Sequence, residues 1–254
     1  MIRFFLLAIA WFSLVKEAQG QSRQVITQPT EWFMLTSNIK LTQRIGFTFD
    51  AQFRFSQNFV GMQHFVRNGL DVYVNKKFSF VPVGYMYVWN YRYGELPSRF
   101  VDNEHRIWQH AFYKHSIGKW RLNHRLRLEQ RFLQSHSLST TGEEIDNGFN
   151  IFRNRLRYRV VAQRPLKGET IQPKSFFVGG MNEFFYSWGK DVSTYELDQN
   201  RFFTGVGYQI NKDFYVWPGF FYQYLLRGNG AIQENNVGFL VWVAYNFDFS
   251  KKSE

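Results

Sequence analysis

The sequence predicts an all-β protein: a transmembrane, antiparallel, up-and-down β-barrel of about twelve strands, within a range of ten to twelve. Three observations favour this fold. Apolar and polar residues alternate with a period of two along most of the chain, the alternating segments are long, and short and long connections follow each other between them. A period of two is typical of strands because successive side chains point to opposite faces.

The separation of the two faces is clearest from Ile45 to Phe55, where apolar side chains alternate with Gly, Thr, Asp, Gln and Arg. The same pattern recurs in 120–132, 151–162 and 237–249. These segments run over about 11 to 14 residues, whereas strands of soluble proteins usually have about 5 or 6. Because a tilted strand needs about 9 to 11 residues to cross a bilayer, the length favours a membrane barrel over a soluble sandwich.

Eleven strands can be placed along the chain from this alternation. Bacterial single-chain barrels have an even number of strands, so parity predicts a twelfth, short strand within 24–30. The connections at 42–44, 76–77, 117–118 and 211–212 are tight, and most of the others are longer and polar, which is typical of periplasmic turns and external loops; the connection at 164–174 is an exception. The eleven strands are predicted at 31–41, 45–56, 64–75, 78–91, 104–116, 119–133, 149–163, 174–187, 198–210, 213–227 and 235–249.

The first twenty residues have the layout of a secretory signal peptide. Arg3 precedes an apolar run from Phe4 to Val15, and small residues stand at the positions that a signal peptidase recognises, so cleavage is expected between Gly20 and Gln21. An N-terminal membrane anchor is the alternative, but the run is short for a bilayer span. We therefore predict two regions, a signal peptide at 1–20 and one outer-membrane barrel domain at 21–254.

Composition excludes several classes of protein. The chain has no cysteine, so disulfides, thiolate metal sites and a lipid anchor through an N-terminal Cys are not expected. No segment after residue 20 is apolar over the 18 or more residues that a membrane helix needs. The net charge of +11 would suit a nucleic-acid partner, but export makes that partner unexpected.

A row of arginines follows the polar faces of neighbouring strands, with Glu129 and Glu183 as the obvious partners. In a narrow barrel such charges must pair or be hydrated through a pore. Two interpretations stay open: an Arg/Glu network that fills and stiffens the interior, and a porin-like, anion-preferring pore for a small anionic solute. The predicted network consists of Arg125, Arg127, Glu129, Arg131, Arg153, Arg155, Arg157, Arg159, Glu183 and Arg201.

The sequence contains no recognisable catalytic constellation, and we expect neither an enzyme nor a cofactor. An outer-membrane phospholipase of similar size carries His and Ser two residues apart on one strand face, but no His here has Ser at that distance. His124, on the apolar face of its strand, is therefore interpreted as lying near the lipid headgroups. His105, His110 and His115 are spaced by five and alternate between faces, so they cannot converge on a metal.

Two segments resemble each other without a gap: Gly69 to Pro82 and Gly205 to Pro218. Each contains a strand, an Asn-Lys turn at Asn75 or Asn211, and the start of the next strand. Either a hairpin was duplicated, or similar turns selected similar residues.

Several short motifs resemble the bacterial outer-membrane barrel family known as domain of unknown function 2490. They are Arg125-Leu-Arg-Leu-Glu-Gln-Arg131, Glu183 followed by Asn200-Arg201 and Gly205, and Pro218-Gly219 with Tyr222-Gln223. The resemblance implies an outer-membrane location and supplies no activity.

The expected partners are outer-membrane lipid and the barrel-assembly machinery. That machinery would read Tyr245, Phe247 and Phe249, although five further residues follow them. The alternatives are a lipid-acting outer-membrane enzyme and a soluble periplasmic lipid-binding β protein. The soluble protein would need its Phe-rich faces buried and its arginines outside.

Overall fold

The structure is a computed structural model that describes residues 23–192, 197–227 and 230–250. The predicted signal peptide at 1–20 lies outside these residues. Apart from one 3-10 turn at Gln57–Phe59, the regular elements of the described residues are strands, and no helix there is long and apolar enough to cross a membrane. The strands are β1 (Gln24–Lys40), β2 (Ile45–Ser56), β3 (Val60–Tyr73), β4 (Phe78–Asn90), β5 (Glu104–Ile117), β6 (Trp120–Leu133), β7 (His136–Leu138), β8 (Glu144–Asp146), β9 (Ile151–Pro165), β10 (Ser175–Trp188), β11 (Gln199–Gln209), β12 (Phe214–Arg227), β13 (Ile232–Tyr245) and β14 (Phe247–Asp248).

Eleven long strands form one closed barrel. Neighbours in the order β1-β2-β3-β4-β5-β6-β9-β10-β11-β12-β13 pair antiparallel, and β13 pairs with β1 to close the sheet. The short β14 extends the edge of β1, and β7 pairs with β8 in a separate two-stranded hairpin. The predicted all-β barrel is confirmed, and its strand number lies within the predicted range of ten to twelve.

The prediction of a separate twelfth strand at 24–30 is wrong. Those residues belong to β1, which is 17 residues long and continuous. With eleven strands running up and down, the first and the last run in the same direction, and β1 pairs with β13 in parallel from Gln24–Ile232 to Thr36–Ala244. Parity failed as an argument because parallel strands also satisfy each other's backbone hydrogen bonds, so closure does not require an even number.

The connections distinguish the two ends of the barrel. One end, the short-turn end, carries the connections 41–44, 74–77, 118–119 and 210–213, together with the longer 166–174 that the sequence marked as an exception. The opposite, long-loop end carries 91–103 and 134–150, together with the described residues 189–192 and 197–198 between β10 and β11 and 230–231 between β12 and β13. It also carries 57–59, which is shorter than the predicted 57–63 because β3 already begins at Val60.

The barrel is apolar outside and mixed inside. In β2 the side chains of Asp50, Gln52 and Arg54 are buried towards the interior, whereas Phe47 and Phe53 are each 45% exposed on the outer surface. The same alternation continues around the wall: in β6 Glu129 is fully buried, whereas Leu126, on the other face of the strand, is exposed. The polar faces predicted from the sequence therefore face inwards.

The interior also contains large apolar side chains that fill it. Trp108 on β5 packs with Phe65, Val81 and Met86 on one wall. A second cluster lies on the facing strands, with Trp217 and Phe203 at its centre. Trp108, Trp217 and Phe203 have no exposed surface, so no open channel passes along these side chains. The packed core of this protein therefore lies inside the barrel.

Glycines make the room for these rings. An added Cβ at Gly84 would overlap the ring of Trp108, and one at Gly207 would overlap the ring of Phe177. A strand glycine often marks a close approach of this kind. The interior is therefore closely packed where glycine backbone and aromatic rings face each other.

Candidate functional site

The structure brings most of the predicted charge network together inside the barrel. Arg153 and Arg159 are only partly buried and have no ion-pair partner among the described residues. The guanidinium of Arg159 lies 5.4 Å from the ring centre of Trp242, a cation–π contact. The other eight are buried: Arg125, Arg127, Glu129, Arg131, Arg155, Arg157, Glu183 and Arg201.

Arg157 is the centre of this network because it bonds to both of the predicted carboxylates, Glu129 and Glu183. Its Nη1 donates to Glu129 Oε1 at 2.5 Å, and its Nη2 donates to Glu183 Oε1 and Oε2 at 2.9 and 3.0 Å. Arg125 Nη2 donates to the same Glu183 at 2.6 Å. Charge-assisted hydrogen bonds of this length are among the strongest in proteins.

The sequence analysis missed a third carboxylate, Glu104 on β5. Arg106 donates to both of its oxygens at 2.7 Å, and Arg131 donates to them at 2.5 and 3.1 Å. Arg106 also lies 3.4 Å from Glu129, so the ion pairs run without interruption from Glu104 to Glu183. The sequence does contain a signal for this carboxylate, since Glu104, Arg106, Trp108 and His110 share one strand face. One acidic and one basic residue are less conspicuous, however, than the four alternating arginines of 153–159.

Two further ion pairs border the network. Arg155 Nη2 lies 3.2 Å from Asp198 and its Nε donates to Ser187. Arg67 pairs with Asp50, and its guanidinium lies 5.7 Å from the Trp108 ring. Arg127 covers the same ring at 4.3 Å. Charged groups and aromatic faces thus share the interior.

A cavity of about 160 Å³ lies in the long-loop half of the barrel. Its charged lining consists of arginines, and no Asp or Glu of the described residues lines it. The amides of Gln63, Asn90, Gln199 and Gln223 add hydrogen-bonding groups, and Met62, Phe65, Met86, Phe185 and Leu225 add apolar surface. The six lining arginines are Arg54, Arg106, Arg131, Arg155, Arg157 and Arg201.

The connection 91–103, which we call the crossing loop, lies over this half of the barrel. Tyr93 lines the cavity, and its hydroxyl donates to Glu234 on β13 at 2.9 Å. Arg227 pairs with the same carboxylate and donates to the carbonyl of Leu96 at 2.8 Å. Burial, reinforced by the Glu234 carboxylate, raises the pKa of Tyr93 far above the ordinary tyrosine value. The phenol therefore stays a neutral donor.

Buried charges within the described residues are unequal in number. Nine arginines are buried there against six carboxylates, so the interior has an excess of positive charge. Six of these nine arginines line the cavity, whereas none of the six carboxylates does. This arrangement attracts anions and repels cations.

The histidines are distributed as their spacing predicted. His110 faces the interior beside Arg127, whereas His105 and His115 lie on the outer face. No group of three metal-ligating side chains occurs in the described part of the chain. His124, predicted to lie near the headgroups, is on the outer face, where its Nδ1 is 2.8 Å from the hydroxyl of Tyr158 and its ring stacks on His115.

A family model described as a protein of unknown function, DUF2490, matches residues 30–235. The chain belongs to the DUF2490 family. The match covers β1 from Thr30 to the beginning of β13, and therefore includes the whole ion-pair network and every cavity-lining residue of this DUF2490 barrel. Neither curated proteins nor solved structures yielded a match to the chain.

Proposed function

We propose that this protein is an integral outer-membrane β-barrel with a packed lumen, whose role is structural rather than that of a diffusion pore. The observation that supports the membrane location is the distribution of side chains, with apolar residues outside and charged residues inside, the reverse of a soluble protein. Exposed apolar residues surround the wall, among them Phe176, Phe184 and Val206, each about half exposed. A soluble protein rarely exposes an apolar surface this continuous, because water penalises it.

Aromatic and histidine clusters near both ends of the outer wall support the same proposal. Tyr85, Tyr87, Trp89 and His105 contact one another near the long-loop end. Tyr113, His115, His124 and Tyr158 do so near the short-turn end. Outer-membrane barrels carry aromatic girdles at both interfaces, where amphipathic rings meet the headgroups.

The filled interior favours a structural role over passive transport. Arg54 on β2 joins the two apolar clusters on the inner wall, with its guanidinium 4.0 Å from the ring centre of Trp32 on β1 and 4.8 Å from that of Phe65 on β3. The second candidate, an anion-preferring pore, is favoured by the excess of buried arginine. A lipid-acting enzyme or a soluble lipid-binding barrel finds no such support, since the arginine-lined cavity of about 160 Å³ holds far less than an acyl chain with its headgroup.

Cell fractionation followed by gel electrophoresis tests the membrane proposal. The expected result is recovery in the outer membrane of a protein that starts near Gln21 and migrates differently before and after boiling, since a closed barrel stays folded in detergent. Recovery from the soluble periplasm with no mobility shift would reject it.

Conductance across a planar bilayer separates the structural role from the pore. We expect the purified barrel to insert without stable open-channel steps in potassium chloride. Steps with a higher permeability for chloride than for potassium would instead establish the anion-preferring pore.

A further inference from the structure

We propose that the arginine-lined cavity is a binding site for a small oxyanion of the phosphate type. The inference deepens the proposed function by assigning a ligand class to the barrel interior, but it does not require membrane insertion. It starts from the six guanidinium groups around a space of about 160 Å³ in which no described carboxylate takes part.

Four of these arginines are neutralised from behind. Arg106 and Arg131 share Glu104, Arg155 pairs with Asp198, and Arg157 bridges Glu129 and Glu183. These carboxylates hold the guanidinium planes in place without entering the cavity. The remaining N–H groups are therefore presented to the space in a fixed arrangement, which lowers the cost of ordering them around a ligand.

Arg54 and Arg201 differ from the other four because their hydrogen bonds go mainly to neutral groups. Arg54 donates to Gln52 and Gln63 and has no carboxylate partner within the described part of the chain. The nearest carboxylate to Arg201 is Glu183, at 3.8 Å. With the Gln199 amide turned so that its oxygen faces the donors of Arg201 and Gln223, this oxygen accepts from Arg201 at 2.7 and 2.9 Å.

Both guanidinium groups are buried and stack on the indole of Trp32, at 4.0 and 5.0 Å. Amide oxygens accept their hydrogen bonds but supply no countercharge. Arg54 has no ion-pair partner among the described residues, and Arg201 shares Glu183 with Arg125 and Arg157, which lie closer to that carboxylate. A buried cation without a countercharge is costly, and an anion in the adjoining cavity would compensate it.

The shape and chemistry of the site narrow the ligand class. A cavity of about 150 Å³ holds a molecule of roughly benzene size, so the space suits a tetrahedral oxyanion or a small phosphate monoester. Guanidinium forks match phosphate oxygens in pairs, and the amides of Asn90 and Gln223 offer further donors. The phosphate could come free from solution or from a lipid headgroup at the long-loop end, and the chemistry of recognition is the same.

Isothermal titration of the folded barrel with inorganic phosphate, in a neutral detergent at constant ionic strength, tests the inference. We expect saturable binding at one site, weakened at least about tenfold in Arg54→Gln and in Arg201→Gln, the loss expected for one charge-assisted contact. Arg121→Gln is the matched control. It removes an interior arginine that also bonds to an amide, Gln163, but lies outside the cavity.

The heat-dependent gel shift verifies that each variant is folded before titration. Absence of phosphate binding by the folded wild-type barrel would overturn the inference, and so would an equal loss in the Arg121 variant. Competition by phosphatidic acid in mixed micelles would identify a lipid headgroup as the source, and binding unaffected by it would identify free phosphate. Because titration uses purified protein, its failure is distinguishable from failure of the fractionation test.

Discussion

At the residue scale, short polar motifs determine the turns that reverse the chain. Asn75 accepts from the backbone N–H groups of Lys77 and Phe78 at 2.8 and 2.9 Å, and Asn211 accepts from those of Asp213 and Phe214 at 2.8 and 3.0 Å. The two similar segments noticed in the sequence therefore form the same side-chain-capped turn. Thr42 forms a third turn of this kind with its hydroxyl, although the surrounding sequence differs. Shared turn chemistry is thus sufficient to explain the resemblance.

Gly84 gives a sharp prediction at this scale. A methyl group there would overlap the buried ring of Trp108, so we expect Gly84→Ala to destabilise the barrel by about 1–3 kcal/mol, the usual cost of overpacking. Urea unfolding in detergent measures the loss. Gly61→Ala is the control, because its new methyl would lie 3.5 Å from the Tyr91 ring in ordinary contact. Equal stability of the two variants would show that the side chains around Trp108 can accommodate a methyl group without a measurable cost.

At the element scale, the ion pairs tie neighbouring strands together in addition to the backbone ladder. Arg125 on β6, Arg157 on β9 and Glu183 on β10 meet across three consecutive strands. The alternation in the sequence predicted which side chains share a face. It could not predict which carboxylate each arginine meets, since that depends on strand register.

Removal of one shared carboxylate is expected to be severe. Glu183→Gln would leave Arg125 and Arg157 with an incomplete set of partners in a buried site, at a cost of about 3–5 kcal/mol. Urea unfolding would measure this loss of stability, and failure to recover folded barrel would indicate a loss too large to measure. Glu169→Gln is the control, since Glu169 is 80% exposed and pairs with Lys119 on the surface, where a pair contributes about 1 kcal/mol or less. Similar losses in both variants would contradict a stabilising network.

At the scale of the whole molecule, the closing pair of β1 and β13 determines the strand number. Since these strands are parallel, Leu35 lies opposite Val243, and both face outwards. The chain has no cysteine, so a crosslink between two introduced cysteines cannot be confused with a native disulfide.

We expect Leu35→Cys with Val243→Cys to form a disulfide on mild oxidation, visible as a change in gel mobility. Leu35→Cys with Phe239→Cys is the control, because four residues of strand separate its thiols by about 13 Å. A crosslink in the control and none in the first pair would indicate a different closure and another strand number.

Insertion into a bilayer is also a property of the whole barrel, and one exposed leucine tests it. Leu126 on β6 is 47% exposed on the outer wall, whereas Leu138 on the β7–β8 hairpin is 40% exposed beyond it. If the wall faces lipid, Leu126→Arg should cost about 2–4 kcal/mol near the bilayer midplane and reduce folded protein in the outer membrane. Leu138→Arg should have little effect. Equal recovery of both variants would indicate a wall that faces water.

The sequence by itself determined the fold class, the faces of the strands and, apart from the beginning of β1, the positions of the barrel strands to within a few residues. These properties follow from local alternation, because side chains in a strand point alternately to its two faces. The segments holding Arg125, Glu129 and Arg157 could therefore be recognised as one polar lining before any tertiary contact was known.

Tertiary structure alone decided the parallel closure, the packing of Trp108 and Trp217 in the lumen, and the hydrogen bonding of Arg54 and Arg201 mainly to amide oxygens. Each depends on which residues meet across strands distant in the chain. An inward tryptophan such as Trp242 has the same alternation as a residue lining an open channel. Only the closed sheet reveals that it belongs to a buried cluster, in which it stacks on Trp217 of the neighbouring strand. The physical reason is that register and curvature are cooperative properties of all eleven strands, whereas alternation is a property of each strand alone.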